Sequence, residues 1–189
     1  LIGALMVIPG LVSAIYKEPL GVISFGVSSL LVLILGLILK HFGENSDMGR
    51  REAFVTVSLS WLLAAMIGSL PYLILGLGPM NAIFESMSGF TTTGATILSQ
   101  YNSEGYWIIS PDLVQGSLAY ALAERAANYL IYCAPIDTID LCFGLTLDLG
   151  DLLSVKGTYY GLLFWRSFSQ FLGGLGIIML FIAILPKSF

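Results

Sequence analysis

Charge is scarce in this chain. Asp, Glu, Lys and Arg make up 11% of its 189 residues, whereas 57% are hydrophobic. A soluble domain of that length needs far more polar surface to cover its core, so lipid is the expected solvent for much of the chain. Basic residues are fewer still, eight against twelve acidic ones for a net charge of −4, and no basic patch points to nucleic acid. One histidine and two cysteines cannot build the usual kind of zinc site by themselves. No Ser/His/Asp set or paired carboxylates lie at a credible site, and His41 sits in a polar link, away from any plausible nucleophile. No enzyme chemistry and no cofactor are therefore expected. The opening run lacks a positively charged start and a small-residue cleavage site, so it is not read as a signal peptide. Beginning at Leu1 and stopping just after an apolar run, the sequence is expected to be a piece of a longer protein.

What is present is a series of apolar runs. "LIGALMVIPGLVSAIY", Leu1 to Tyr16, is uncharged and slightly short for a span, and "KEP" at Lys17 to Pro19 makes a tight polar turn. Leu20 to Leu39 is uninterrupted and has the ~20 residues that a bilayer core requires. A polar link, Lys40 to Glu52, leads to a second span from Ala53 to about Leu77, where Pro71 allows a kink or unwound turn. "PMNAIFESMSGF", Pro79 to Phe90, then starts on a proline and ends near a glycine, as a helix should. It is well under the ~20 residues of a spanning helix, which makes it a re-entrant half-helix by default.

From Gln100 to Thr158 the composition shifts, with seven acids against two bases, Arg125 and Lys156. Leu113 to Ala134 is apolar enough to suggest another span, but Glu124 and Arg125 at its middle would each cost about 3 kcal/mol in lipid. This region reads as a folded extramembrane insert holding at least one helix. The last span is Tyr159 to Leu185. Lys40, Arg50, Arg51 and Lys187 fall on one side of this arrangement and the acidic insert on the other. Both termini are thus expected in the cytoplasm and the insert outside.

After the short helix comes "TTTGAT", Thr91 to Thr96. Backbone that leaves helical geometry at membrane depth is tolerated only where it is buried in protein or lines a wet cavity. One use is to replace a cation's hydration shell with carbonyl oxygens. Threonines offer hydroxyls without charge, and Gly94 permits dihedrals that turn a carbonyl inward. The half-helix would aim its partly negative end at the cation. A Thr-rich turn between two membrane helices fits the composition equally well, and the two readings stand level at this point.

"NAIFESMS" leading into "GFTTTGATIL", followed later by "LLFWRSFSQFLGGLGIIMLFIAILP", closely resembles the Trk/Ktr/HKT superfamily of cation transporters, and within it the Trk-type potassium uptake subunit. "RREAFVTVSLSWLLAAMIGSLPYLILG" resembles that family's first pore-lining helix. The resemblance covers Arg50 to Pro186 without the insert, and the two helices before it look like the family's N-terminal hairpin.

The fold implied is an all-α membrane protein, a transmembrane hairpin plus one helix–re-entrant pore loop–helix repeat of a potassium-channel-like fold. Its parts would be the hairpin at 1–40, a cytoplasmic link at 41–52, the outer helix, pore helix and filter loop at 53–99, the extracytoplasmic insert at 100–158 and the inner helix at 159–189. Thr92, Thr93, Gly94 and Ala95 would be one repeat's share of a selectivity filter, with potassium at Thr92, Thr93 and Gly94, and Thr91 in support. A glycine at the Gly94 position goes with potassium in that family, and a serine with sodium. The resemblance further implies three more pore repeats, a homodimer, a cytoplasmic nucleotide-binding regulatory subunit and a multi-pass place in a prokaryotic inner membrane. The alternatives are a non-conducting module that binds a partner through the acidic insert, a sodium-conducting relative and, more distantly, a membrane enzyme. The insert itself departs from the family, whose link from filter to inner helix is short.

Five further features need a reading. Glu85 could attract cations near the filter, but neutral carbonyls hold and release ions more readily, which favours a supporting role. Arg166 could snorkel to the interface or pair with Glu85 and brace the loop. "GGLG" at Gly173 to Gly176 suits close helix packing better than a hinge. Cys133 and Cys142 have a spacing that permits a disulfide, with two buried thiols the favoured alternative. Trp107, Tyr159, Tyr160 and Trp165 look like interfacial aromatics.

Overall fold

The computed structural model describes residues 1–43, 50–98, 100–101, 107–108, 114–133, 138–141, 145–148 and 159–184. Helices α1 (Ile2–Leu5) and α2 (Val7–Ile15) form the first arm of a hairpin and α3 (Pro19–Phe42) the second. Lys17 closes the turn with φ 53°, a left-handed conformation that lets the Glu18 N–H return to the Ser13 carbonyl at 2.8 Å. Among the described residues, α3 is the helix long and apolar enough to cross a membrane. Its 24 residues reach about 36 Å at 1.5 Å each, enough for a hydrocarbon core of ~30 Å. It is buried against the rest of the chain through Leu20, Phe25 and Val32, while beyond Val32 it exposes Leu35, Leu37, Ile38 and Leu39.

Helix α4 (Arg50–Gly68) is followed by the single turn α5 (Leu70–Ile74). The span expected at Ala53–Leu77 is thus broken at Ser69. Pro71 lacks an N–H and its ring crowds the carbonyl four residues back, which interrupts the ladder there. The Gly68 carbonyl accepts a hydrogen bond from Trp165 Nε1 at 3.1 Å, and the Pro71 carbonyl accepts one from Ser24 Oγ at 2.6 Å. Both helices flanking the link run further than expected, to Phe42 and from Arg50, and residues 44–49 of that link lie outside the described residues.

Helix α6 (Pro79–Phe90) packs between α4 and α8 (Tyr160–Ile184), a 25-residue helix that also packs on α2. Between them, α7 (Leu118–Cys133) lies against α3 through a side that buries Ala119 and Ala123 and leaves Glu124 and Arg125 exposed. Most of the described secondary structure is helical. The same 100–158 segment adds two short antiparallel ladders, β1 (Gln100–Tyr101) with β2 (Trp107–Ile108) and β3 (Thr138–Leu141) with β4 (Leu145–Asp148). Cys142 lies outside the described residues, so no bridge to Cys133 is described.

The aromatic residues correct one expectation. Trp165 and Tyr159 are buried rather than interfacial, and Trp165 packs edge-on against Phe25 and Phe90 at the centre of the helical core. The core forms around that indole because its N–H reaches the carbonyl that the α4 break releases, so one side chain meets both its apolar and its polar requirement. Tyr160 is partly exposed and stacks on Tyr16 with ring centroids 4.4 Å apart.

Close backbone approach locks α8 against the hairpin at Gly161. A Cβ there would overlap Ser13 Oγ and sit 2.8 Å from the Pro9 carbonyl oxygen. Gly161→Ala should destabilise the fold by about 1–3 kcal/mol through overpacking, seen as a lower unfolding midpoint in detergent.

Candidate functional site

The threonine loop hangs from the C-terminal end of α6. The N–H groups of four successive residues turn back onto the carbonyls of that helix. Thr91 donates to Met87 at 2.8 Å, Thr92 to Gly89 at 2.9 Å, and Thr93 and Gly94 to Ser88 at 3.0 and 3.4 Å. In a trans peptide the carbonyl of one residue points opposite to the N–H of the next. The carbonyls of Thr91, Thr92 and Thr93 therefore point away from α6. Residues Thr91 to Ala95 are exposed.

Two positions carry the change of direction. Thr92 has φ 58° and Gly94 φ 75°. For glycine that region is free of penalty, whereas for a β-branched residue it is a strained outlier of the kind that collects at functional sites. A Cβ on Gly94 would find only Gln170 Nε2, at 3.5 Å, so backbone conformation rather than space calls for glycine there. Thr91 Oγ1 donates to the Met87 carbonyl at 2.7 Å and lies 2.9 Å from Thr93 Oγ1.

Behind the loop, Glu85 and Arg166 act as a pair of opposite polarity. Glu85 is fully buried, and its Oε1 accepts from Thr96 Oγ1 at 2.7 Å, Ile97 N at 2.5 Å and Leu98 N at 3.3 Å. Its Oε2 lies 3.5 Å from Arg166 Nε. Arg166 Nη2 in turn donates to the carbonyls of Gly94 at 2.7 Å and Ala95 at 3.2 Å. The carboxylate thus gathers donors from the chain leaving the loop, and the guanidinium gathers acceptors from the loop's end. Each satisfies groups that the other cannot. Glu85 does not face the loop's exposed side, and Arg166 does not snorkel away.

The structure therefore brings Glu85, Arg166, Gly94 and Ala95 into one hydrogen-bonded unit, with Thr91 to Thr93 beside it. Among the described residues, no hydrogen bond to the carbonyls of Thr92 or Thr93 is seen. The carbonyls of Gly94 and Ala95 each have one acceptor position occupied by Arg166, and Ala95 also accepts from Ser88 Oγ at 2.6 Å. No group of three or more His, Cys, Asp or Glu residues that could hold a metal lies among the described residues.

Two supports were not legible beforehand. Ser88 was hidden in the short helix, and no spacing rule points from it to Ala95. Ser169 packs where α6 meets α8: a Cβ on Gly89 would overlap its Oγ. Gly173 makes the same crossing possible one turn further on, since a Cβ there would overlap the Phe90 carbonyl oxygen. Packing, not a hinge, is what this glycine provides here.

The chain is similar to several curated proteins over nearly its whole length. It is 30% identical over 186 residues to the Trk system potassium uptake protein TrkI of Halomonas elongata, covering 96% of this chain and 26% of that protein. It is 28% identical over 186 residues to the Trk system potassium uptake protein TrkH of Salmonella typhimurium, covering 96% and 27%. An uncharacterized cation transporter of Methanocaldococcus jannaschii is 25% identical over 190 residues, covering 100% of this chain and 28% of that protein. None of these names is that of an enzyme. The chain spans about a quarter of the length of the curated relatives it matches. No protein-family model matches it, and no solved structure does.

Proposed function

The chain belongs to the Trk-type cation transporter family, and from that premise we propose that it serves potassium uptake by supplying the first of four pore repeats. In this reading α4 and α5 are the outer helix, α6 a re-entrant pore helix, Thr92 to Ala95 the repeat's share of the filter and α8 the inner helix. Potassium is the transported substrate and no cofactor is needed. The remaining repeats belong to the same protein, which by resemblance is a homodimer that meets a cytoplasmic nucleotide-binding regulatory subunit. It sits as a multi-pass protein in a prokaryotic inner membrane.

One observation carries the reading. Four consecutive N–H groups are tied back to α6, so the carbonyls of Thr92 and Thr93 point away from it, on a stretch that is exposed. Carbonyl oxygens fixed in that way are suited to replace the water around a dehydrated cation. Gly94 keeps a second acceptor position beside its bond to Arg166, whereas Arg166 and Ser88 together occupy both positions of the Ala95 carbonyl. The neutral lining allows the ion to leave as well as enter.

Rubidium uptake into cells that lack their own potassium uptake systems tests this. The chain as given is compared with a version completed by the remaining repeats of a Trk-type subunit. Uptake is expected from the completed version alone. Gly94→Val should lower it roughly tenfold or more, since a left-handed conformation costs a residue with a Cβ about 1–2 kcal/mol. Uptake by the short chain alone would contradict the one-quarter reading. No uptake from either, with both present in the membrane, would favour a binding module. Uptake of sodium over rubidium would favour a sodium-conducting relative.

A further inference from the structure

The acid of the hairpin turn has no part in the loop, yet it is among the most buried charged side chains of the described residues. Glu18 is 1% exposed. Its Oε1 accepts from the Tyr160 N–H at 2.6 Å, and its Oε2 accepts from the Gly161 N–H at 3.2 Å and from Ser13 Oγ at 3.1 Å. Tyr160 and Gly161 are the first two residues of α8. Their N–H groups are among those a helix cannot satisfy internally, and a carboxylate is the acceptor best matched to that end of a helix dipole. A local side chain normally supplies it. Here it comes from a different helical hairpin, 142 residues earlier in the chain.

A second tie runs from the same hairpin to the other side of the repeat. Ser24 Oγ, less than two turns after Glu18 on α3, donates to the Pro71 carbonyl at 2.6 Å, where the α4 ladder is broken. The hairpin thus supplies an acceptor to the start of α8 and a donor to the break after α4. Gly161 and Gly21 let the backbones come close enough, with Ser13 pressed against both.

The start of α8 is connected rigidly to the loop. Arg166 follows Tyr160 by six residues, about 9 Å along the axis, and its guanidinium meets the Gly94 and Ala95 carbonyls. An axial slip of α8 would move that guanidinium directly. We infer that Glu18 is a positioning residue of the threonine loop: it fixes the start of α8, and through Arg166 fixes where the Gly94 and Ala95 carbonyls stand. The effect on transport rests on the potassium-uptake reading, whereas the clamp itself does not.

The test uses the full-length transporter carrying this segment, with Glu18→Gln, Glu18→Ala and Ser13→Ala. Hydrogen–deuterium exchange reads the clamp without reference to transport. In Glu18→Gln the amides of Tyr160 and Gly161 should exchange roughly tenfold faster, because the amide side chain keeps only one acceptor oxygen. Peptides from α3 away from the turn should be unchanged. Rubidium uptake reads the consequence. The half-saturating concentration should rise about tenfold in Glu18→Ala, less in Glu18→Gln and least in Ser13→Ala. The maximal rate per molecule at the membrane should fall less than affinity. If Glu18→Ala does not accumulate, Glu18→Gln carries both readouts. Unchanged exchange at Tyr160 and Gly161 would overturn the clamp. Faster exchange with unchanged half-saturation and unchanged rubidium-over-sodium preference would overturn the positioning role. A wild-type protein that takes up no rubidium would overturn the transport reading and with it the positioning role, while exchange would still decide the clamp.

Discussion

Replacing Glu85 by alanine is expected to cost about 3–5 kcal/mol of stability, more than any other single change at the loop. The buried carboxylate holds three donors on Oε1 and faces Arg166 with Oε2, so its loss strands all of them at once. Arg166→Gln removes the opposite half and should cost less, because that side chain is 13% exposed and can reach some water. The two substitutions should not add. A double-mutant cycle on unfolding in detergent should give a coupling of at least ~1 kcal/mol, since the residues share one network. If Arg166→Gln left both folding and ion selectivity untouched, the idea that this pair braces the loop would be lost.

A methyl group at position 173 is expected to damage the same region, less severely and for a reason that has nothing to do with charge. The Cβ of Gly173→Ala would overlap the Phe90 carbonyl oxygen and lie 2.8 Å from its carbon. Those are backbone atoms at the end of α6, so no side chain can rotate away. Either α8 moves outward or the end of α6 does, and both disturb the loop that starts at Thr91. A loss of about 1–3 kcal/mol is expected, as for overpacking elsewhere, together with reduced uptake. Gly26 and Gly36 supply the comparison, because a Cβ at either meets nothing within 4 Å. Alanine at those sites should be neutral or slightly stabilising, as expected for replacing a glycine inside a helix. An unfolding midpoint for Gly173→Ala equal to theirs would contradict the tight crossing.

The sequence carried the helices well, because long apolar runs and their stops are one-dimensional features. Pro79 and Gly89 bracket α6, and Pro19 opens α3. The break at Ser69 was foreshadowed by Pro71, though its exact place was not, since it depends on Trp165 claiming the Gly68 carbonyl from far along the chain. Glu85 and Arg166 could be paired beforehand because isolated charges within apolar runs need partners. Glu18 could not be placed that way. In the sequence it is one charge in a short polar turn, where solvent is the default neighbour, and only the docking of α8 makes it a cap. Trp165 misled for a similar reason. Aromatics near a span's end suggest an interface, but an indole whose N–H finds a buried carbonyl can serve as core.

The central claim is that an ion sheds its water at Thr92 and Thr93. Rubidium-specific anomalous diffraction from crystals of the complete transporter tests that most directly. Scattering peaks beside the carbonyls of Thr92 and Thr93, lost in Gly94→Val, are the expected result. A transporter that takes up rubidium yet binds it away from this loop would contradict the account.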